Sequence, residues 1–490
     1  MSPLVASIII IIYFSFLLVI SWITSRNTNN AGFFLGNRKA PWYIISIGMI
    51  GSSISGATFI SVPGTVGATQ FTYLQMVMGF FAGYIVVANV LLPLYYKLNL
   101  TSIYTYLEGR FGFWSYKSGA TLFLISRTIG AAARLYLMAN VLQIALFNSF
   151  NIPFEVTVFL TIFLIWVYTF KGGIKTIIWT DLLQTFFLVG ALIISIIAIS
   201  TSMHFSPSEL VGSIINSPYS KVFEISDWSS KQHFLKQFFS GMFITIVMTG
   251  LDQDMMQKNL SCRSLKDAQK NMYWYGFSFL PVNILFLSLG ALLFIFAANS
   301  GIQIPKQTDD LYPMLATQGY LTAAVAIFFF IGLIAATYAS ADSALASLTT
   351  SFSIDILNIE KKSEEQGAKI RFWSHVGFSL LLGVTILIFN AFNNDNVVNT
   401  VFTLAGYTYG PLLGLYAYGL FSKRGTLDKA VPFIALLSPV VVGIVDYNSL
   451  SWFGFKFGFE KLMINGAITY LALFFFSFVI EKKPKTTTNI

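Results

Sequence analysis

Charge is scarce in this sequence. Asp, Glu, Lys and Arg together make up 10% of its 490 residues, against about 25% in ordinary soluble domains. Hydrophobic residues reach 55% and the mean hydropathy is +0.70, more apolar sequence than one water-exposed core absorbs. A soluble globule is excluded, and a bilayer is the natural solvent. Cysteine occurs once, as Cys262 in a cytoplasmic loop, which rules out an internal disulfide and gives no sign of redox chemistry. The three histidines, His204, His233 and His375, are scattered. No nucleophile–base or metal-ligand cluster accompanies them, so the chain does not read as an enzyme. The first apolar run, residues 4–24, has neither a basic leader nor a small-residue cleavage site after it, so it reads as a retained helix rather than a signal peptide.

What is present is a series of apolar segments near or above the roughly 20 residues that cross a bilayer as a helix, far longer than barrel strands. Thirteen spans are expected, at 4–24, 41–67, 72–97, 118–149, 153–170, 176–202, 233–257, 271–298, 319–355, 370–391, 396–421, 429–446 and 461–481. Polar loops at 203–232 and 299–317 lie on the outer side. The fold class is an all-α polytopic membrane protein.

The net charge of +9 reflects topology rather than a nucleic-acid partner. Alternate connections carry Arg26, Arg38, Lys39, Lys97, Arg110, Lys117, Lys171 and Lys175, then Lys258, Arg263, Lys266, Lys270, Lys361, Lys362, Lys369, Arg371, Lys423, Arg424 and Lys429. Lys482, Lys483 and Lys485 close the chain on that same side, while the other side has only Lys221, Lys231, Lys236, Lys306, Lys456 and Lys461. The positive-inside bias then places the chain in the plasma (inner) membrane with its N-terminus outside and its C-terminus in the cytoplasm.

One span is unlike a lipid-facing helix. Its middle reads Gly51-Ser52-Ser53-Ile54-Ser55-Gly56, where glycine and serine let the backbone unwind and free its carbonyls toward a cation. The competing reading is close helix packing on small residues. The 233–257 span is interrupted in the same way, by Gly241, Thr245, Thr249 and Gly250. Five spans run from the first interrupted one to 202, and five more from the second to 421. An odd number per unit makes the second unit start from the opposite side, so the repeats are inverted, and transporters place their sites at such paired breaks. The expected division is 1–24 for an extra first helix, 41–202 and 233–422 for the two units, and 429–481 for two closing helices.

Five stretches carry a family resemblance: ISGATFISVPG (54–64), TSIYTYLEGRFG (101–112), YTFKGGIKTIIWTDLLQ (168–184), LDQDMMQKNL with SLKDAQK (251–270), and YGPLLGLYAYGLFSKR (409–424). In this order and spacing the chain resembles the sodium:solute symporter family, the sodium-coupled carriers of sugars, proline, monocarboxylates, iodide and sialic acid. The resemblance implies a leucine-transporter-like five-plus-five inverted repeat with one helix before it and two after. It also implies Na+ as the co-transported ion, a small organic solute as partner, and import by alternating access.

Sodium takes several oxygen ligands, and a carrier must also release it, which suits carbonyls and hydroxyls. For the main sodium site the resemblance implies the carbonyls of Gly51 and Ile54, together with Ala336, Ala339 and Ser340. Ala339 stands where the family usually has serine, so one hydroxyl is missing. Ser340 reads either as a ligand or as a serine bonded to its own helix.

Acids within the membrane are costly and functional by default, and two are expected there, Asp181 and Asp342. Asp181 is a second-ion ligand by resemblance, or a helix-start acid at the cytoplasmic surface. Asp342 with Ser343 occupies positions from which relatives draw second-sodium ligands. It reads as an ion ligand, as a proton carrier, or as a structural partner of arginine. Arg127 and Arg134, seven apart on one helical face, are the arginines in question. Arg134 lies deeper and matches a substrate carboxylate as a planar fork; the alternative is a salt bridge to Asp342 or Asp181. Ser53, Ser55 and Thr58 match positions that contact substrate in sugar and sialic-acid carriers. Thr245 and Met248 stand where the sugar branch has an asparagine and a gating tyrosine, which favours an organic anion (sialic acid, a monocarboxylate or an amino acid) over a hexose. The rival readings are a proton-coupled or uncoupled carrier, or a symporter-fold membrane sensor.

Overall fold

The computed structural model describes residues 3–26, 28–392 and 397–478. Within these the chain is helical, and no strand occurs among the described residues. Eight helices are long and apolar enough to cross a membrane, and two further pairs qualify when each bent pair is taken as one span.

In chain order the principal helices are α1 (Pro3–Thr24), α2 (Trp42–Ser53), α3 (Gly56–Thr69), α4 (Tyr73–Lys97), α5 (Phe113–Ala145), α6 (Phe154–Thr169), α7 (Ile174–Ser202) and α8 (Phe234–Gly250). They continue as α9 (Gln253–Asn259), α10 (Leu265–Asn299), α11 (Ala323–Ile356), α12 (Glu364–Phe392), α13 (Val397–Thr408), α14 (Gly410–Phe421), α15 (Val431–Tyr447) and α16 (Lys461–Phe476). The two bent pairs are α2–α3, which turn by 65°, and α8–α9, which turn by 69°. Both breaks were expected, although the second falls at Leu251–Asp252, just beyond the small residues that signalled it.

Several boundaries differ from the sequence reading for one reason. A helix that enters the membrane can begin with polar turns, which hydropathy reads as loop. Thus α10 starts at Leu265, capped by the Ser264 side chain, which accepts from Asp267 N; α12 starts at Glu364. The expected 396–421 span is interrupted at Tyr409, just before Gly410 and Pro411, where proline removes a backbone donor. The first residue of that span, the end of the 461–481 span and the three lysines that follow it lie outside the described residues.

The bundle is tightest where glycine admits a neighbour's backbone. A Cβ on Gly79 of α4 would lie 2.0 Å from the Phe238 carbonyl, and one on Gly241 of α8 would lie 2.2 Å from that of Met76. At one end of the bundle the basic connections are tied to each other. Arg38 donates to the Leu100 carbonyl, Arg263 to Lys39, and Arg110 to the carbonyls of Gly419, Ser422 and Arg424. Lys175 reaches the Arg26 carbonyl. Each of these carbonyls thus gains a charged donor.

Candidate functional site

The site grows from the break between α2 and α3. Ile54 N still bonds to Ile50 O, and Phe59 N to Ser55 O, as the flanking helices require. Between them, no hydrogen bond among the described residues reaches the carbonyls of Gly51, Ser52, Ser53 or Ile54. Ser55 caps α3 by accepting from Thr58 N at 3.4 Å, and its hydroxyl lies 3.2 Å from that of Thr58. The break is wedged between two helices. On the α7 side, Gly51 N donates to Thr185 Oγ1 at 3.1 Å, and a Cβ on Gly51 would lie 2.3 Å from that oxygen. On the α11 side, a Cβ on Gly56 would lie 2.0 Å from Thr337 Oγ1. Glycine is therefore required at both positions by close approach, not only for its flexibility.

Thr337 belongs to the turn of α11 that carries Ala336, Ala339 and Ser340, all buried. The Gly56–Thr337 approach thus sets this turn beside the α2–α3 break. The Ser340 hydroxyl donates to the Thr337 carbonyl at 2.9 Å. This is the self-bonded serine of the alternative reading, but a hydroxyl that donates keeps its lone pairs for a cation. Sequence reasoning missed Gln184. It is fully buried, facing Tyr13, with neither amide atom in hydrogen-bond geometry. The helices α7 and α11 run antiparallel with Ala191 against Gly332, a register that brings Gln184 to the level of Ala339. The TDLLQ stretch contains this amide, yet only the tertiary register relates it to the position that lacks a hydroxyl.

The acids are not placed as expected. Asp181 is two turns inside α7 and 1% exposed, so it is not a helix-start acid at the surface. Its Oδ2 accepts from Lys258 Nζ of α9 at 2.7 Å, and its Oδ1 has no partner. Asp342 accepts from the Tyr168 hydroxyl at 2.8 Å and from Ser343 N at 2.5 Å. It lies within Coulombic range of Asp181 and Lys258, and the buried Ser343 hydroxyl has no partner. Neither acid pairs with an arginine among the described residues. Three further acids, Asp252, Asp254 and Asp355, are also fully buried. Their burial depends on neighbours distant in sequence, such as Ser102 and Tyr116 for Asp355.

The arginines divide. Arg127 forms an ion pair with Asp254 and lies 3.9 Å from Asp252, which accepts from the Tyr409 hydroxyl at 2.5 Å and from Asp254 N at 2.8 Å. Arg127 therefore ties α5 to the break before α9 and to the break between α13 and α14. Arg134, seven residues along, is half-buried and makes no hydrogen bond or ion pair among the described residues. Its planar fork is left free. Ser53, Thr58 and Met248 are half-buried as well. Ser53 bonds to the Tyr275 hydroxyl at 2.5 Å, and Tyr84 donates to Tyr275 at 2.8 Å. Thr245 packs on Gly83, where a Cβ would lie 2.6 Å away.

The two breaks differ in chemistry. At the α8–α9 break the Gly250 carbonyl accepts from the Tyr95 hydroxyl at 2.8 Å, and the Leu251 carbonyl from Tyr104 at 3.1 Å. Tyrosines occupy those carbonyls, whereas the carbonyls at the α2–α3 break have no hydrogen-bond donor.

Residues 33–432 match the model of the sodium:solute symporter family. The chain is 25% identical over 469 residues to the sodium/sialic acid symporter of Aliivibrio fischeri, covering 91% of this chain and 88% of that one. It is 25% identical over 475 residues to the sodium/sialic acid symporter of Proteus mirabilis, covering 92% of each. In fold it resembles the substrate-bound, outward-open structure of a Na+-coupled sialic acid symporter, with a TM-score of 0.82 at 20% identity over 97% of this chain and 98% of that one.

Proposed function

We propose that this chain, which belongs to the sodium:solute symporter family, is a sodium-coupled symporter that carries a small carboxylate-bearing solute inward by alternating access. It is a multi-pass membrane transporter and not an enzyme. The observation that carries the reading is the run of four carbonyls, Gly51 to Ile54, that have no donor beside the α11 turn holding Ser340. Buried carbonyls normally have partners, and a cation of modest affinity supplies one.

The main sodium ligands are then the carbonyls of Gly51, Ile54 and Ala336 and the hydroxyl of Ser340, with Ala339 at a position that lacks the hydroxyl usual in the family. Asp181, Asp342 and Ser343 are the candidates for a second ion. Arg134 holds the solute carboxylate in its fork, and Ser53, Ser55, Thr58, Thr245 and Met248 surround the solute. Sialic acid is the solute named for the relatives from Aliivibrio fischeri and Proteus mirabilis, which supports a carboxylate here. The similar bends of 65° and 69° support two inverted units, 41–202 and 233–422; the eight long apolar helices, two bent pairs and three shorter apolar helices support thirteen spans, with one helix before the units and 429–481 after. The basic end supports a cytoplasmic C-terminus and an N-terminus outside, in the plasma membrane.

The test is uptake into proteoliposomes with an inward sodium gradient. Uptake should need sodium and collapse in Ser340→Ala. Full uptake with choline or potassium in its place, at neutral and acid pH alike, would remove the coupling.

A further inference from the structure

A groove of about 1110 Å³ runs along the flank of the bundle between α1, α2 and α7. Its walls are apolar: Ile20 and Ile23 of α1, Ile47 and Ile50 of α2, Trp179 and Phe186 of α7. The groove is open beside Gly190, where a Cβ would meet nothing within 4 Å. At the basic end of the bundle the groove reaches Thr24 and Lys175. Just beyond lies a pocket of about 330 Å³ that includes Ser25, Thr28, Lys171 and Arg371.

Three cations, Lys175, Lys171 and Arg371, therefore line the mouth of the groove and the pocket beside it, with Arg26 next to Lys175, and most of their donors have no partner among the described residues. Lys175 gives one of its three protons to the Arg26 carbonyl at 3.1 Å. Arg26 stacks on the Trp22 ring at 3.9 Å, and Lys171 lies 5.5 Å from the Phe170 ring centre. Arg371 donates from Nη1 to Asn30 Oδ1 at 2.6 Å. The neighbouring acid is Glu364, which accepts from Asn30 N at 2.7 Å.

We propose that the groove and pocket together bind one anionic phospholipid, with its acyl chains along α1, α2 and α7 and its phosphate among Arg26, Lys171, Lys175 and Arg371. Charge decides between a lipid and another helix. Under the orientation proposed above, a partner helix would bring its own lysines and arginines to this end and meet like charge. An anionic headgroup brings the opposite charge, and basic pockets between membrane helices on the cytoplasmic side select such lipids. Thr185, which also lines the groove, is the residue that holds Gly51 at the α2–α3 break. The acyl chains would thus lie against the helix just ahead of the ion site.

The test is native mass spectrometry of the full chain in detergent, titrated with phosphatidylglycerol and with phosphatidylcholine of matched chains. One phosphatidylglycerol should bind at least about 30-fold more tightly than phosphatidylcholine. The double variant Lys171→Gln/Lys175→Gln should weaken phosphatidylglycerol by about 30-fold, taking each lysine at its usual worth near an anionic headgroup, and leave phosphatidylcholine unchanged. Gly190→Phe fills open space, so it should fold normally and weaken both lipids. Equal binding of the two lipids, or an unchanged double variant, would overturn the proposal. So would glycerol-3-phosphate binding as tightly as the lipid, or a dimer that Gly190→Phe converts to monomer.

Discussion

Lys258 Nζ lies 2.7 Å from Asp181 Oδ2, and both side chains are 1% exposed. The pair joins α9, beyond one break, to α7, which clamps the helix before the other break. Its remaining acceptor, Asp181 Oδ1, has no partner, so the pair is incomplete as a purely structural device. Breaking a buried pair by removing one partner is expensive, because it strands a charge.

Lys258→Met should therefore destabilise the protein by about 3–5 kcal/mol, read as a lowered thermal-melting midpoint. The double variant Lys258→Met/Asp181→Asn should recover most of that loss. If the double variant melts no higher than Lys258→Met alone, the two side chains do not depend on each other.

The arginines should separate in a two-assay experiment. Arg134→Lys should weaken solute binding substantially, since a point charge cannot reproduce the fork, while leaving sodium binding and melting temperature almost unchanged. Arg127→Lys should lower the melting temperature, because its guanidinium is already paired with Asp254. A solute bound equally well by Arg134→Lys and the parent would make Arg134 structural.

Gly56→Ala should abolish sodium-dependent uptake, because its Cβ would lie 2.0 Å from Thr337 Oγ1. Adding Thr337→Ala removes that oxygen and should restore at least part of the uptake. No recovery would mean that the glycine is needed for backbone freedom rather than for the approach of α11.

Asp342→Asn distinguishes three roles. A proton carrier predicts retained solute binding and lost pH dependence of uptake, since the amide mimics the protonated acid. An ionised sodium ligand predicts a raised sodium half-saturation constant at every pH. A silent side chain, held by Tyr168 and Ser343 N, predicts no change in either; that result would take Asp342 out of the coupling.

Some of this was legible in the residues themselves. Gly51-Ser52-Ser53-Ile54-Ser55-Gly56 announced a break because glycine and serine within an apolar run weaken a helix. The scarcity of charge and the length of the apolar runs determined a helical membrane protein, since backbone polar groups in lipid must be paired within helices or closed barrels. The ordered motifs marked the family.

The tertiary structure decided the partners. Sequence spacing placed Arg127 and Arg134 on one face, but it could not show that Asp254 takes the first and leaves the second free. Lys258 was counted with the basic connections until packing buried it against Asp181, and Gln184 had no visible role until the antiparallel register brought it level with Ala339. The physical reason is the same each time. Helix formation and membrane insertion depend on neighbours a few residues away, whereas a buried charge depends on whatever side chain the fold brings within a few ångströms. For Asp181 that side chain lies 77 residues along the chain.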